Sequence, residues 1–188
     1  MMYETNGLSV CHSIYSSPIG ELLLTSDGEA LTGLYMCQHR GKPAAAPDPG
    51  WRRDDTAFQS VREQLDAYFE GELRDFDLPL RMPGTPFQRL VWEGLRAIPY
   101  GSTVSYAELA RKIGRPGASR AVGSANGRNP IAIVVPCHRV IAADGSLGGY
   151  GGGLDRKDWL LEHEGAVRKW ANETGPQERH VATCLAVD

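Results

Sequence analysis

The chain has 188 residues, of which 41% are hydrophobic and 23% charged, a balance typical of a folded protein with one domain or two small ones. No stretch approaches the roughly 20 apolar residues that span a bilayer, and residues 1–6 lack the basic and apolar parts of a signal peptide. Four widely spaced cysteines favour a reducing compartment over a disulfide framework. We therefore expect a cytoplasmic protein that does not bind membranes.

Charge is divided unevenly along the chain, although the net charge is only −3. Residues 1–80 hold 6 Lys and Arg against 13 Asp and Glu, residues 81–139 hold 9 against 2, and residues 140–188 hold 5 against 8. A basic block within an acidic protein is typical of a surface that faces phosphates. A basic face that contacts only solvent is the alternative.

The N-terminal part of the chain predicts a small α/β unit. Residues 10–37 predict a β-meander, because turn signals separate three apolar runs. After a loop rich in proline and alanine, apolar residues at helical spacing predict a helix over 58–69, with Asp54 or Asp55 as its cap. Residues 76–80 are a further candidate strand. This region carries no pattern that indicates chemistry.

Two capped helices and a glycine turn follow. The pattern of a capping box occurs at 85–88 and again at 105–108, and each predicts the start of a helix. A glycine-rich turn at 114–117 then leads into a short helix over 118–126. Helix, short turn and helix are typical of a helix-turn-helix, although two packed helices of a bundle would show the same pattern.

The second helix of this pair is built almost entirely from small residues. Within 118–126 the only long cation is Arg120, whereas a helix that reads the major groove presents several polar side chains to the base edges. A slim helix suits close approach to a nucleic-acid backbone or a narrow groove, with Arg120 reaching outward. Tight packing inside a core is the alternative.

A cysteine follows an apolar run in a pattern that indicates reactivity. The β-branched residues of 131–135 favour extended structure, and Pro136 blocks its continuation, so we expect Cys137 on a rigid, non-helical backbone. His138 and Arg139 place positive charge beside the thiol, which favours the thiolate. A buried, inert cysteine is the alternative.

The remaining segments predict a flap and a final helix. Residues 140–147 predict a hairpin around an Asp-Gly turn. The glycines of 148–153 match no phosphate-binding pattern and predict a mobile flap that carries Tyr150. Asp155 is the expected cap of the last helix, and residues 167–188 are predicted to be a loosely attached tail.

Together these features resemble the O6-alkylguanine-DNA alkyltransferases. The resemblance implies an α/β N-terminal domain over 1–82, with a small antiparallel sheet plus a helix, ribonuclease H-like in fold. A mostly helical C-terminal domain with a winged-helix-like helix-turn-helix follows over 83–166, and then the tail over 167–188. It rests on Ser105-Tyr106, Arg120-Ala121-Val122-Gly123, Asn129-Pro130, Pro136-Cys137-His138-Arg139, Tyr150 and His163-Glu164-Gly165.

The resemblance implies DNA repair by direct reversal of damage. The expected partner is double-stranded DNA that contains O6-alkylguanine, bound in the minor groove with the damaged base flipped out. The alkyl group passes irreversibly to Cys137 in a single turnover, and O4-alkylthymine is a poorer substrate. No cofactor is expected, and the protein is expected to act as a monomer that can also bind DNA cooperatively.

The resemblance also implies catalytic roles for individual residues. Cys137 is the acceptor, His138 is its base acting through water, and Glu164 orients His138. Asn129 braces the turn before the cysteine, and Tyr106 crowds a phosphate while its hydroxyl faces N3 of guanine.

Further roles concern DNA and the base pocket. Arg120 fills the place of the flipped base, and the other implied DNA-binding residues are Tyr106, Ala121, Gly123, Ser124 and Arg139. The carbonyls of Cys137 and Val140 read the guanine amino group, and Tyr150 donates to O6. The implied pocket residues are Val140, Leu147, Gly148, Tyr150, Gly151 and Lys157.

Two details depart from some relatives. Gly151 stands where some relatives carry serine, so a hydroxyl contact is lost. Some relatives also hold zinc in the N-terminal domain. Here Cys11, His12, Cys37 and His39 are the candidate ligands, but neighbouring side chains on a strand point in opposite directions. We therefore predict no metal site.

Three other functions fit the pattern less well. Alkyltransferase-like proteins bind the same lesions but lack the acceptor cysteine, which is present here. A cysteine hydrolase needs an oxyanion hole and a histidine that approaches from a distant part of the chain. A transcription regulator needs base-reading side chains, which the small-residue helix does not supply.

Overall fold

The computed structural model of the protein describes residues 10–37 and 45–166. The predicted meander is confirmed: its three strands pair in antiparallel fashion, and a two-residue strand adds to the first in parallel, in the order β3-β2-β1-β4. The strands are β1 (Cys11–Ser17), β2 (Gly20–Ser26), β3 (Leu31–Met36) and β4 (Arg52–Arg53).

The predicted helix packs across this sheet. A 3₁₀ turn (Thr56–Phe58) leads into α1 (Gln59–Phe69), and the core takes up its apolar stripe, which includes Leu65 and Tyr68. The strand predicted over 76–80 is wrong, because only an isolated bridge joins Leu80 to Leu31. Pro79 has no N–H to donate to a ladder.

The C-terminal region is a group of short helices. Both predicted capping boxes are present, with Thr85 and Ser105 as the capping residues. The indole N–H of Trp92 donates to the carbonyl of Ala125 at 3.0 Å and links the first of these helices to the third. The elements are α2 (Pro86–Arg96), β5 (Val104–Ser105), α3 (Tyr106–Lys112), α4 (Ser119–Asn126), β6 (Val140–Ile141) and α5 (Leu154–His163).

Two local predictions in this region are wrong. Residues 140–147 do not form a hairpin: β6 pairs in parallel with β5, and Ala142 and Ser146 close a tight turn. Asp155 does not cap α5, because the helix begins one residue earlier and Gly153, at a φ of 101°, is the capping residue. The winged-helix character of this region stays a prediction, and so do the domain boundaries. The predicted tail lies outside the described residues.

The sheet also supports the segment that precedes Cys137. The N–H of Leu34 donates to the carbonyl of Pro130 at 2.9 Å, and the N–H of Ala132 donates back to Leu34 at 3.0 Å. Strand β3 therefore fixes the backbone that carries the cysteine. Among the described residues, no helix combines the length and the apolar character needed to cross a membrane.

Candidate active site

Cys137 lies on a tightly turned backbone rather than at the end of a strand. Residues 131–135 form successive turns, in which Ile133 adopts a φ of 70°, and the cysteine opens a 3₁₀ helix (Cys137–Arg139). The prediction of extended, non-helical backbone is therefore wrong. A β-branched residue at positive φ is strained, so the surrounding contacts must hold this turn in place.

Asn129, which is predicted to brace this turn, supplies part of that support. Its amide nitrogen donates to the carbonyl of Val135 at 2.7 Å, and its oxygen accepts from the N–H of Ile131 at 3.1 Å. Sequence analysis missed Asn126, which is buried and donates to the carbonyl of Cys137 at 3.4 Å. Its only signal in the sequence is an amide at the end of a helix of small residues.

The Cys137 thiol is buried, with 6% of the residue exposed. Burial raises its pKa, and the side chains of Asn129, Lys157 and Tyr150 only partly oppose this shift. The expectation that neighbouring positive charge favours the thiolate is therefore wrong for the resting site, because burial outweighs it. A base must take the proton before the sulfur can act as a nucleophile.

His138 is the imidazole next to Cys137 in the sequence. It is 0% exposed, and its Nε2 lies 2.8 Å from Oε1 of Glu164. Burial lowers the pKa of His138 although Glu164 pulls in the other direction, so the imidazole is neutral. With Nε2 donating to the carboxylate, Nδ1 carries the lone pair, and it has no hydrogen-bond partner among the described residues. The Nδ1 atom of His138, the residue that follows Cys137, is therefore free to accept a proton.

Glu164 is the centre of this buried network. Besides His138, it accepts from Nε of Arg139 at 2.8 Å, from Nη2 of Arg139 at 3.0 Å and from the N–H of Gly101 at 3.3 Å. These donors hold its pKa well below the usual range despite burial. Gly101 has a φ of 71°, and a Cβ there would lie 2.8 Å from the Glu164 carbonyl oxygen. Only glycine allows this close approach. We refer to His138, Arg139 and Glu164 as the His138 cluster.

Arg139 is buried, which argues against its predicted role in DNA binding. The residue is 5% exposed, and its guanidinium binds Glu164 and the carbonyl of Ile98, the latter at 2.6 Å. A buried charge needs a partner of opposite sign, and Arg139 neutralises Glu164. Because the charge of Arg139 offsets the charge of Glu164, the carboxylate favours protonation of His138 less strongly.

Lys157, which is predicted to line the base pocket, is tied to two backbone carbonyls. It is fully buried, and its Nζ donates to the carbonyl of Val140 at 2.6 Å and to the carbonyl of Leu147. Burial lowers its pKa to about 8. Lys157 therefore joins strand β6 to the start of the flap, and Val140 and Leu147 are held in place by their carbonyls.

Tyr150 of the glycine-rich segment lies close to the Cys137 thiol. The hydroxyl of Tyr150 is buried and meets no partner of hydrogen-bonding geometry in the described part of the chain, yet its proximity helps to lower the pKa of the Cys137 thiol. Gly151 is exposed, and a Cβ at that position would meet nothing within 4 Å. A Cβ at Gly148 would lie 3.4 Å from the hydroxyl of Tyr106.

Helix α4 exposes several of the residues that are predicted to bind DNA. Arg120, Ala121 and Ser124 are exposed on it, and within residues 10–37 and 45–166 the Arg120 guanidinium has no hydrogen bond or ion pair. A Cβ at Gly123 would lie 3.6 Å from the Tyr106 ring, and burial raises the pKa of Tyr106. The tyrosine thus lies between α4 and the flap.

The described residues hold no group of three or more metal-binding side chains. Cys11 is buried and His12 is half-buried on the same strand, as expected for side chains on opposite faces. His39 lies outside the described residues, so the expected lack of a metal stays a prediction.

Comparison with known proteins connects both halves of the chain to one family. The model of the 6-O-methylguanine DNA methyltransferase ribonuclease-like domain matches residues 10–82, and that of the DNA binding domain matches residues 86–166. A methylated-DNA–protein-cysteine methyltransferase of Mycobacterium leprae is 54% identical over 154 residues, 82% of this chain and 91% of that protein. A protein of the same name from Methanosarcina acetivorans is 50% identical over 155 residues, 82% of this chain and 98% of that protein.

Solved structures agree with these matches. The crystal structure of Mycobacterium tuberculosis OGT in complex with DNA has 52% sequence identity and a TM-score of 0.76, covering 82% of this chain and 92% of that chain. The small sheet domain followed by a helical domain, together with these relatives, defines a two-domain methyltransferase. The chain belongs to the 6-O-methylguanine DNA methyltransferase family.

Proposed function

We propose that this protein repairs DNA by moving the alkyl group of O6-alkylguanine onto Cys137. The observation that carries the proposal is the buried thiol beside a neutral histidine whose Nδ1 has no partner among the described residues. An acceptor thiol with a raised pKa needs such a base. The family and its DNA-bound relative support DNA as the partner.

The proposed reaction is a direct displacement. His138 takes the Cys137 proton through a bridging water, and the sulfur attacks the alkyl carbon. The bond between sulfur and carbon forms as the bond between carbon and O6 breaks, and the electron pair stays on guanine, which takes up a proton. The Tyr150 hydroxyl donates a hydrogen bond to O6 as charge develops there.

The chemical nature of the product explains why each protein molecule reacts only once. The product is a thioether, which has no activated carbonyl for water to attack, so the acceptor is not regenerated. Glu164 stabilises the imidazolium that forms on His138, while Arg139 keeps that carboxylate ionised. No step needs a cofactor.

Access to the thiol requires the flap to move. Cys137 is 6% exposed, and the carbonyls of Val140 and Leu147 are tied to Lys157, which leaves residues 148–153 as the part that opens. A flipped base then enters between Tyr150 and the carbonyls of Cys137 and Val140. Arg120, on the exposed face of α4, occupies the place that the base leaves in the duplex. The protein is proposed to do this as a monomer, with cooperative binding along DNA.

Intact-protein mass spectrometry tests the proposal. After incubation with an excess of duplex that carries O6-methylguanine, we expect the mass to rise by one methyl group, located on Cys137, with no repair beyond one equivalent. The Cys137→Ala variant should bind the duplex without gaining mass. The matched control is Cys37→Ala, which removes another buried thiol and should react like the parent. Methylation at another residue, or continued turnover, would contradict the proposal.

A further inference from the structure

A tyrosine of the N-terminal region reaches into the His138 cluster. Tyr68 lies on α1, is 0% exposed, and donates its hydroxyl to Oε1 of Glu164 at 2.8 Å. The two residues are 96 positions apart in the chain. The proposed alkyl transfer gives this contact no role.

The oxygen that Tyr68 binds is the one that holds the histidine. Oε1 of Glu164 also lies 2.8 Å from Nε2 of His138 and accepts from Nη2 of Arg139 at 3.0 Å. A hydrogen bond to a carboxylate stabilises its charge and weakens its attraction for other donors. The phenol and the imidazole therefore share the negative charge of one atom.

The surroundings hold the Tyr68 hydroxyl in this place. Its ring packs edge-on against the rings of Tyr100 and His163, with centroids 6.2 Å and 5.2 Å away. Nε2 of His163 lies 2.7 Å from the Tyr68 carbonyl oxygen. Residues of the C-terminal region thus hold both the ring and the backbone of Tyr68 in place.

We infer that Tyr68 is a positioning residue for alkyl transfer: its hydroxyl takes up part of the charge on Glu164 and keeps His138 neutral until the thiol proton arrives. This inference rests on the proposed role of His138 as the base. A neutral histidine accepts the proton, whereas an imidazolium does not.

The effect of Tyr68 on His138 acts together with the effects of the charged groups nearby. Arg139 and Lys157 both disfavour protonation of His138, as does burial, and Glu164 alone favours it. Tyr68 weakens that single favourable interaction. Loss of the hydroxyl should therefore raise the pKa of His138, whereas loss of packing alone would not.

The test is Tyr68→Phe, which keeps the ring and removes only the hydroxyl. NMR titration should show the pKa of His138 rising by about half a unit to one unit. The rate of reaction with free O6-methylguanine base should fall about three- to tenfold on the low-pH side of its profile. It should be nearly unchanged at high pH, where His138 is neutral in both proteins.

The matched control is Tyr15→Phe, which removes another buried hydroxyl of the same domain, bonded to Asp66 at 2.6 Å. This substitution should leave the pKa of His138 unchanged. An unchanged His138 pKa in Tyr68→Phe, or a loss of rate equal at all pH values, would overturn the inference. The titration needs no alkyl transfer, so a Cys137 that fails to react would overturn the proposed function separately.

Discussion

Arg139 of the His138 cluster and Arg120 of the exposed face of α4 both come from the basic block of residues 81–139, yet the two regions use arginine in opposite ways. Arg139 is buried, with its guanidinium bound to Glu164 and to the carbonyl of Ile98. Arg120 is exposed. In one region the charge belongs to the internal structure of the enzyme, and in the other it is available to a partner.

The difference between Arg139 and Arg120 shows the limit of a charge count. A charge count predicts a phosphate-facing surface, but it does not tell which cations reach that surface. Arg139, the arginine nearest to Cys137 in the sequence, is buried in the fold. Its removal should therefore affect chemistry and stability, and removal of the exposed cation should affect only the use of duplex DNA.

The largest effect is expected when the His138 cluster loses its carboxylate. Glu164→Gln leaves the buried Arg139 charge without a counter-charge, which should lower the free energy of unfolding by about 3–5 kcal/mol. It also removes the group that stabilises the His138 imidazolium, so transfer should slow by about 100-fold or more. Urea unfolding and single-turnover kinetics measure the two effects.

The control for this substitution is Glu93→Gln. Glu93 is an exposed carboxylate 3.6 Å from Arg96, and surface ion pairs contribute about 1 kcal/mol or less. If both variants lost similar stability and kept similar rates, the distinction between internal and surface charge would fail.

An intermediate effect is expected on the α4 face. Arg120→Ala should slow the repair of alkylated duplex by about tenfold or more, because nothing then holds the flipped base out of the stack. Reaction with the free alkylated base should be unchanged, since a free base needs no flipping. Arg52→Ala removes an exposed arginine of strand β4 and should alter neither rate. Equal losses on duplex and free base would place Arg120 in the chemistry instead.

The smallest effect is expected at the flap, residues 148–153. Gly151→Ser adds a hydroxyl where a Cβ meets nothing within 4 Å, so stability should change by less than about 0.5 kcal/mol. If the hydroxyl contacts the bound base, free-base reaction should rise by about two- to tenfold. Gly151→Ala supplies the same Cβ without the hydroxyl and separates the two effects. A serine variant no faster than the alanine variant would mean that no such contact forms.

Local signals in the sequence were sufficient for the elements that depend on neighbouring residues. The meander, the helix over 58–69 and both capping boxes are confirmed, because turns, apolar spacing and caps act over a few positions. Two of the predictions that failed depend on partners elsewhere in the chain. Strand β6 pairs with β5 rather than with the residues after it, and the turn that holds Cys137 is braced by Asn129 and by strand β3.

The site shows the same division. The sequence by itself determined the family, the cysteine with its adjacent histidine, and the slim helix with one long cation, because these are fixed by residue type and spacing. Only the tertiary structure decided that Arg139 is internal, that burial raises the pKa of Cys137, and that Tyr68 shares the carboxylate of Glu164 with His138. Burial and the partners of a buried charge depend on which distant segments pack together, and no short stretch of sequence records that.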